Sequence, residues 1–388
     1  MRKRTVPIGI GAALAVIAIA APIVLAPGNT PLAAPAAAPV DAAEQAATIE
    51  ALKPRTSERP VIAIATFNQA TEVSDLLSAY GVLSRADIAD LTVVAERDEP
   101  VQLYPASLAV EPDETFAAFD TEHPEGADYV VVPAVDPGTD PVVAAWIVAQ
   151  HEKGARIISV CNGSRLLSTA GLLDDRRATA HWNSVAELRK QHPSMQWVPD
   201  RRYVVDDGVM TTTGITASIP AMLALVEAIG GRDTATRVAG DIGVTDWDAR
   251  HNSSGFELTL EHKKTFIRNT LAFWRHETMG LPLADGVDEI ALGLVSDAYS
   301  RTQLANVVTL SPGGAPVTTR YGLTLLPDRP AEAANVTAML PALSADAPAT
   351  SLDRELPRVE ARYGAPTAAI VALVMEYPWS GERRLALR

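Results

Sequence analysis

The chain has 388 residues, with 33 Lys+Arg against 47 Asp+Glu for a net charge of −14, an apolar fraction of 47% and a single cysteine. That length suggests two or three domains with material for a sizeable core. The acidic balance argues against binding along a phosphate backbone, and one cysteine excludes an internal disulfide.

Arg2, Lys3 and Arg4 precede an uncharged run, Pro7–Ala26, of 20 residues. That is enough to cross roughly 30 Å of hydrocarbon as a helix, whereas a secretory h-region runs about 7–15 residues. We read residues 1–27 as a signal anchor or transmembrane helix. Ala18-Ile19-Ala20 and Ala36-Ala37-Ala38 are the alternative cleavage sites, in which case the protein is secreted. The basic flank then places the rest outside the cytoplasm. A lone thiol there is either buried and inert or kept for its reactivity. Residues 28–60 read as an Ala/Pro-rich linker with a helical patch near Ala42–Leu52.

From Val61 the pattern changes. Val61–Ala65, Leu91–Ala95, Tyr129–Val132, Ile157–Val160 and Val209–Thr213 are short apolar runs. Stretches with helical spacing lie between and after them: Val73–Leu83, Pro141–Gln150, Ser164–Leu173 and Ile219–Ile229, the last with Ser218 as N-cap and Pro220 in its first turn. Such alternation indicates a doubly wound α/β domain over 61–242, a mostly parallel sheet with helices on both faces. A helical connector, 243–280, follows, with Leu258–Thr278 as its main helix. Beyond it the chain echoes itself. Glu289-Ile290, Ser300-Arg301, Val307–Leu310, Val317 and Pro327-Asp328 match Glu72-Val73, Ser84-Arg85, Leu91–Ala95, Val101 and Pro112-Asp113. The offsets are 217 (289 − 72) and 215 (328 − 113), so 281–388 reads as a degenerate partial repeat lacking the cysteine. Coincidence between two units of similar length is the competing reading.

Cys161 stands between an apolar strand run and a helical stretch, with Asn162-Gly163 as the turn. A nucleophile on a strand–turn–helix elbow is held above the carboxyl edge of the sheet, where open α/β sheets bind ligands. Gly163 would relieve crowding or supply a positive φ, and the helix N-terminus would favour thiolate. The bland alternative is a small buried hydrophobe. Asp246, Asp248 and His251 do not have the spacing of a compact metal site. Gly313-Gly314 reads as a hairpin turn, not a phosphate loop.

Cys161-Asn162-Gly163-Ser164, Ala170-Gly171-Leu172-Leu173 and Ala178-Thr179-Ala180-His181-Trp182 resemble the nucleophile region of the ThiJ/PfpI family. This is the Parkinson-disease protein 7 superfamily, with a class I glutamine amidotransferase-like fold. The flavour is that of isonitrile hydratases and the sensor halves of AraC-type regulators, and the likeness runs from about Val61 to about Ile242. The resemblance implies Cys161 as nucleophile, His181 as proton acceptor or relay, and Asp75 as the acid contacting the thiol, with Glu72 as fallback. Where the family has Pro-Gly after the third strand, this chain has Pro133-Ala134-Val135. Backbone groups of Ala134, Val135 and Asn162 would then form an oxyanion hole, reshaped by the bulk of Val135. Glu72, Gly163 and Trp182 would line the pocket. The expected function is hydratase- or hydrolase-type chemistry on a small electrophile, needing no metal or cofactor. The alternative is a non-enzymatic ligand- or redox-sensing module. No pair of basic helices with a recognition pattern follows residue 242, so nucleic acid is not expected as a partner. Expected partners are a small-molecule substrate or ligand and the membrane through the N-terminal helix. The family often dimerises, so a homodimer is also implied.

Overall fold

The computed structural model describes residues 37–55 and 59–379, so the segment read as an anchor, 1–27, lies outside the described residues. Asp41 accepts the Ala43 N–H at 2.7 Å and starts helix α1 (Ala42–Leu52), the helical patch expected in the linker. The helix is docked. Leu52 is buried, its carbonyl accepts from the Tyr129 hydroxyl at 2.7 Å, and Glu44 pairs with Arg201 at 2.6 Å.

Strand and helix then alternate through β1 (Val61–Ala65), α2 (Val73–Ala86), β2 (Asp90–Ala95), β3 (Val101–Tyr104), β4 (Leu108–Val110), β5 (Glu114–Thr115) and β6 (Tyr129–Val132). The alternation continues with α3 (Pro141–Glu152), β7 (Arg156–Ser159), α4 (Gly163–Thr169), α5 (Trp182–Gln191), β8 (Tyr203–Asp206), β9 (Val209–Thr212) and α6 (Ser218–Ile242). Seven strands form one sheet in the order β8-β9-β7-β6-β1-β2-β5, parallel except for β8. Ile62, Ile64, Tyr129, Val131 and Ile158 face one core with α2 and α6. Ala63, Ala65, Val130, Val132 and Ile157 face a second core with α3 and α4. Because both faces are covered, these strands read as continuous apolar runs.

Three local expectations are corrected. Ser218 does not cap α6. A 3-10 turn, Ile215–Ala217, leads into the helix and the Ser218 hydroxyl donates to the Ile215 carbonyl at 2.7 Å. The expected helix Leu258–Thr278 is shorter: α7 (Leu260–Leu271) starts at a Thr259–His262 capping box, and strand β10 (Glu277–Pro282) takes up the end of the apolar stretch. Gly313-Gly314 belongs to a 3-10 turn between strands of different sheets, so it closes no hairpin. The segment Ile215–Ile242 is long and apolar enough to cross a membrane by length and composition, but 67% of its most apolar window is buried in the core.

The remaining elements are α8 (Glu289–Ser300), β11 (Ala305–Ser311), β12 (Val317–Thr318), β13 (Thr324–Pro327), β14 (Arg329–Pro330), β15 (Ala338–Met339), α9 (Ser351–Tyr363) and α10 (Ala365–Met375). A parallel sheet runs β14-β11-β10-β15. A further sheet, in the order β12-β13-β4-β3 and then Thr71–Glu72, joins the two parts of the chain through antiparallel β13 and β4, with Leu326 opposite Ala109. Helices α2 and α8 cross closely. A Cβ on Gly293 would lie 3.2 Å from the Ser74 Cα, and one on Gly81 would lie 2.8 Å from Ile290 Cγ1. The ends of the two helices match in chemistry. Arg85 meets Asp288, the N-cap of α8, while Arg301 meets Glu72, the N-cap of α2.

Candidate active site

Cys161 joins β7 to α4 at φ 54°, a left-handed conformation that costs a non-glycine residue energy and is held by its surroundings. Its N–H donates to Thr212 Oγ1 at 2.9 Å, its carbonyl accepts from the Ser164 hydroxyl at 3.1 Å, and the Gly163 N–H closes the turn onto Val160 O at 2.8 Å. Gly163 is required for a different reason than a positive φ. A Cβ there would stand 2.3 Å from the Val132 carbonyl oxygen, so only glycine lets α4 approach β6 this closely.

The expectation of a ready thiolate is corrected. Cys161 is 3% exposed. Burial first, then the charges of Asp75, Glu72 and Glu376, push its thiol well above the ordinary range. The Asn162 N–H works in the opposite direction. Helix α4 is only seven residues long, and desolvation outweighs what its N-terminus offers.

The acids come from the first turn of α2. Glu72 caps the helix, its Oε2 accepting the Asp75 N–H at 2.6 Å and its Oε1 the Arg301 guanidinium at 3.2 Å. Asp75 is fully buried. Its Oδ2 accepts the Ala134 N–H at 3.0 Å, while Oδ1 is buried with no hydrogen-bond partner among the described residues. Desolvation lifts the Asp75 carboxyl to about 7 against the pull of the Ala134 N–H. Burial lifts Glu72 as well, followed by repulsion from Asp297 and Asp75. Arg301 answers these carboxyls with one guanidinium, 2.7 Å from Asp297 Oδ1. Tyr104, at the end of β3, feels the charges of Glu72, Asp75 and Cys161, and burial holds its phenol protonated. The cluster therefore stores protons in a dry space beside the sulfur.

A buried cysteine on a strained elbow over a buried carboxyl fits what comparison finds, because residues 61–228 match the DJ-1/PfpI family. The chain carries a DJ-1/PfpI family domain. Over 94 residues it is 39% identical to an isonitrile hydratase from Pseudomonas putida, covering 24% of this chain and 40% of that protein. Over 99 residues it is 32% identical to the HTH-type transcriptional regulator CdhR from Pseudomonas aeruginosa, covering 26% of this chain and 29% of the regulator. The chain thus spans less than half the length of these curated relatives. A solved ThiJ/PfpI family protein from Pseudomonas syringae aligns at 25% identity and TM-score 0.42, covering 47% of this chain and 74% of that one. Drosophila melanogaster DJ-1beta aligns at 20% identity and TM-score 0.43, covering 49% of this chain and all of that one.

Within the DJ-1/PfpI domain the other expected residues fall into place unevenly. The Ala134 N–H is taken by Asp75, so it is no free oxyanion donor; the segment Pro133-Ala134-Val135 holds the acid instead. Val135 forms an antiparallel bridge to Thr71, and neither Ala134 nor Val135 has a positive φ, so the bulk of Val135 imposes no strained backbone. His181 starts α5 with its ring already engaged: Nε2 lies 2.8 Å from the Val374 carbonyl and Nδ1 lies 2.8 Å from Asn183 Oδ1. No hydrogen bond joins it to Cys161 among the described residues, so a relay through it requires the Val374 contact to open. Trp182 is half-buried, with its indole N–H on the Leu373 carbonyl at 2.8 Å and its backbone N–H on Glu376 Oε1 at 2.7 Å. Tyr104, Thr212, Arg301 and Glu376 were not found from the sequence. Only Arg301 left a signal, as the counterpart of Arg85 in the internal echo.

Proposed function

We propose that the DJ-1/PfpI domain performs a cysteine-dependent addition to a small electrophilic carbon, with Cys161 as nucleophile and Asp75 as the group that takes and returns its proton. The observation that carries this reading is the buried, unpartnered Asp75 Oδ1, on a carboxyl lifted to about 7, acting on a thiol that stays protonated until it is needed. A base with a pKa near the working pH combines availability with driving force. As the Cys161 sulfur bonds to the carbon, the thiol proton passes to Asp75. With an isonitrile, the carbon takes that proton back and a thioimidate results. Water then adds to the same carbon, the C–S bond breaks, and the N-substituted formamide leaves with the thiol restored. The net change is one water added, with no oxidant or reductant. The Asn162 N–H, which already favours the thiolate, steadies charge on the sulfur. The isonitrile hydratase relative supports the substrate class, with 39% identity over 94 residues.

The test is the pH profile of Cys161 alkylation by iodoacetamide, with isonitrile hydration assayed in parallel and Cys161→Ser as the blank. We expect a profile with an inflection near pH ~7 that Asp75→Asn removes, and no turnover in Cys161→Ser. A thiol that reacts only after unfolding defeats the enzymatic reading.

A ligand- or redox-sensing module is the second reading. Regulators among the relatives favour ligand sensing, whereas the 3% exposure of Cys161 counts against thiol oxidation. Saturable ligand binding without product is its signature.

Two wider proposals accompany these. Residues 281–388 are read as a degenerate copy that stands where a second subunit would, because the Arg85–Asp288 and Arg301–Glu72 contacts are reciprocal at one offset, 216 (288 − 72 and 301 − 85). Residues 1–27 are read as an anchor or signal that puts the domain outside the cytoplasm. A fusion reporter active only after export, joined at the C-terminus, tests that.

A further inference from the structure

A cavity of about 400 Å³ opens between the start of α5, the segment Trp197–Asp200, the turn Ser253–Gly255 and the end of α10. That volume suits a small ligand. Cys161 does not line it, although Glu376 on its floor lies near enough for its charge to act on the thiol.

The floor is Glu376, 4% exposed and just past α10. One carboxylate oxygen is fixed, since Oε1 accepts the Trp182 N–H at 2.7 Å. The side chain is pressed on Gly214, where a Cβ would meet its Cβ at 2.6 Å, and its carbonyl accepts from the Thr216 hydroxyl at 2.9 Å. The other oxygen, Oε2, is buried and accepts no hydrogen bond among the described residues. His251 Nε2 stands 3.4 Å from it, in poor alignment for a bond. Burial lowers the His251 pKa from its usual value, so at neutral pH the imidazole brings no compensating charge.

The walls are aromatic. Trp182, Trp197 and Phe256 line the space, and the His251 ring stacks on Phe256 at 5.1 Å and 4°. Asp200 and Glu257 add two more carboxylates to the lining. The one permanent cation among the lining residues, Arg189, lies over the Trp197 ring at 5.2 Å. An anion would face three carboxylates. A neutral ligand without a hydrogen-bond donor would leave Glu376 Oε2 dry and unpaired, which is costly. A bare metal ion would find one carboxylate oxygen and one imidazole nitrogen on the floor, too few for a cage. What satisfies both a buried unpaired carboxylate and aromatic faces is a cation with an apolar surface.

We propose that this cavity binds a small organic ammonium ion, seated against Glu376 and enclosed by Trp182, Trp197 and Phe256. The proposal goes beyond the thiol chemistry and does not depend on it.

The test is calorimetric titration of the full chain with tetramethylammonium chloride. The controls are sodium chloride at the same ionic strength and tert-butanol as a neutral mimic of similar shape. Saturable binding of tetramethylammonium alone is expected. Glu376→Gln keeps the acceptor for the Trp182 N–H but removes the charge, and it should weaken binding roughly tenfold or more. Phe256→Leu, on the half-exposed turn, should weaken it severalfold and serves if Glu376→Gln does not fold. Cys161→Ser should bind as the parent does, so failure of the thiol mechanism leaves this result standing. Equal binding of tert-butanol, affinity unchanged in both Glu376→Gln and Phe256→Leu, or no saturable binding of tetramethylammonium overturns the proposal.

Discussion

Replacing Asp75 by Asn removes one titrating group from the dry cluster while keeping its shape. The amide oxygen can still accept the Ala134 N–H, and the amide nitrogen fills the position of the unpartnered Oδ1. In the folded protein the carboxyl titrates near 7 against an ordinary 3.8. The folded state therefore holds a proton that the unfolded chain has released. Stability from Asp75 is complete below pH ~3.8 and is lost as the pH rises through ~7. Each unit of displacement is worth about 1.36 kcal/mol. Between pH 5 and pH 8 about two units of the displacement are traversed, or about 2.7 kcal/mol at most. Sharing of the proton with Glu72 lowers this, so about 2 kcal/mol is expected. Urea unfolding followed by tryptophan fluorescence, on both proteins at both pH values, reads the quantity directly. The wild type should lose about 2 kcal/mol relative to Asp75→Asn on going from pH 5 to pH 8. Two proteins whose stabilities run parallel across that window would refute the buried, proton-holding Asp75 and the base role built on it.

Arg301→Met strips the cluster of its one guanidinium and leaves Glu72 and Asp297 facing each other. Loss of one partner from a buried pair costs about 3–5 kcal/mol, and the low end applies because the Arg301 side chain is 21% exposed. The loss should be greater at pH 8 than at pH 5, where Glu72 can take up a proton; a urea midpoint that does not move would count against the network. Gly163→Ala drives a Cβ into the Val132 carbonyl at 2.3 Å, a backbone atom with no freedom to yield. A cost of about 3 kcal/mol or failure to fold is expected, and a thermal melt like that of the parent would contradict the geometry.

The strand runs were legible because both faces of the sheet are covered, which removes the polar alternation and leaves short apolar words such as Tyr129–Val132. The elbow was legible because the order of strand, Cys161, small turn and helix is local. The helical patch at Ala42–Leu52 could be seen, but its docking could not, since that depends on Tyr129 and Arg201 arriving from elsewhere in the chain. The caps were less secure. Ser218 looked like an N-cap, yet a 3-10 turn preceding it had already started the helix.

The chemistry of the site divides along the same line. The sequence by itself determined which atoms are available: one thiol, a carboxyl in the first turn after β1, and a glycine where α4 must approach β6. Only the tertiary structure decided their state. Burial reversed the expected bias of the thiol, and the Ala134 N–H turned from oxyanion donor to holder of Asp75. Arg301 and Glu376 reach the cluster from more than 200 residues away. The reason is that desolvation and charge–charge coupling depend on distance in space, and no local pattern in a chain carries that distance.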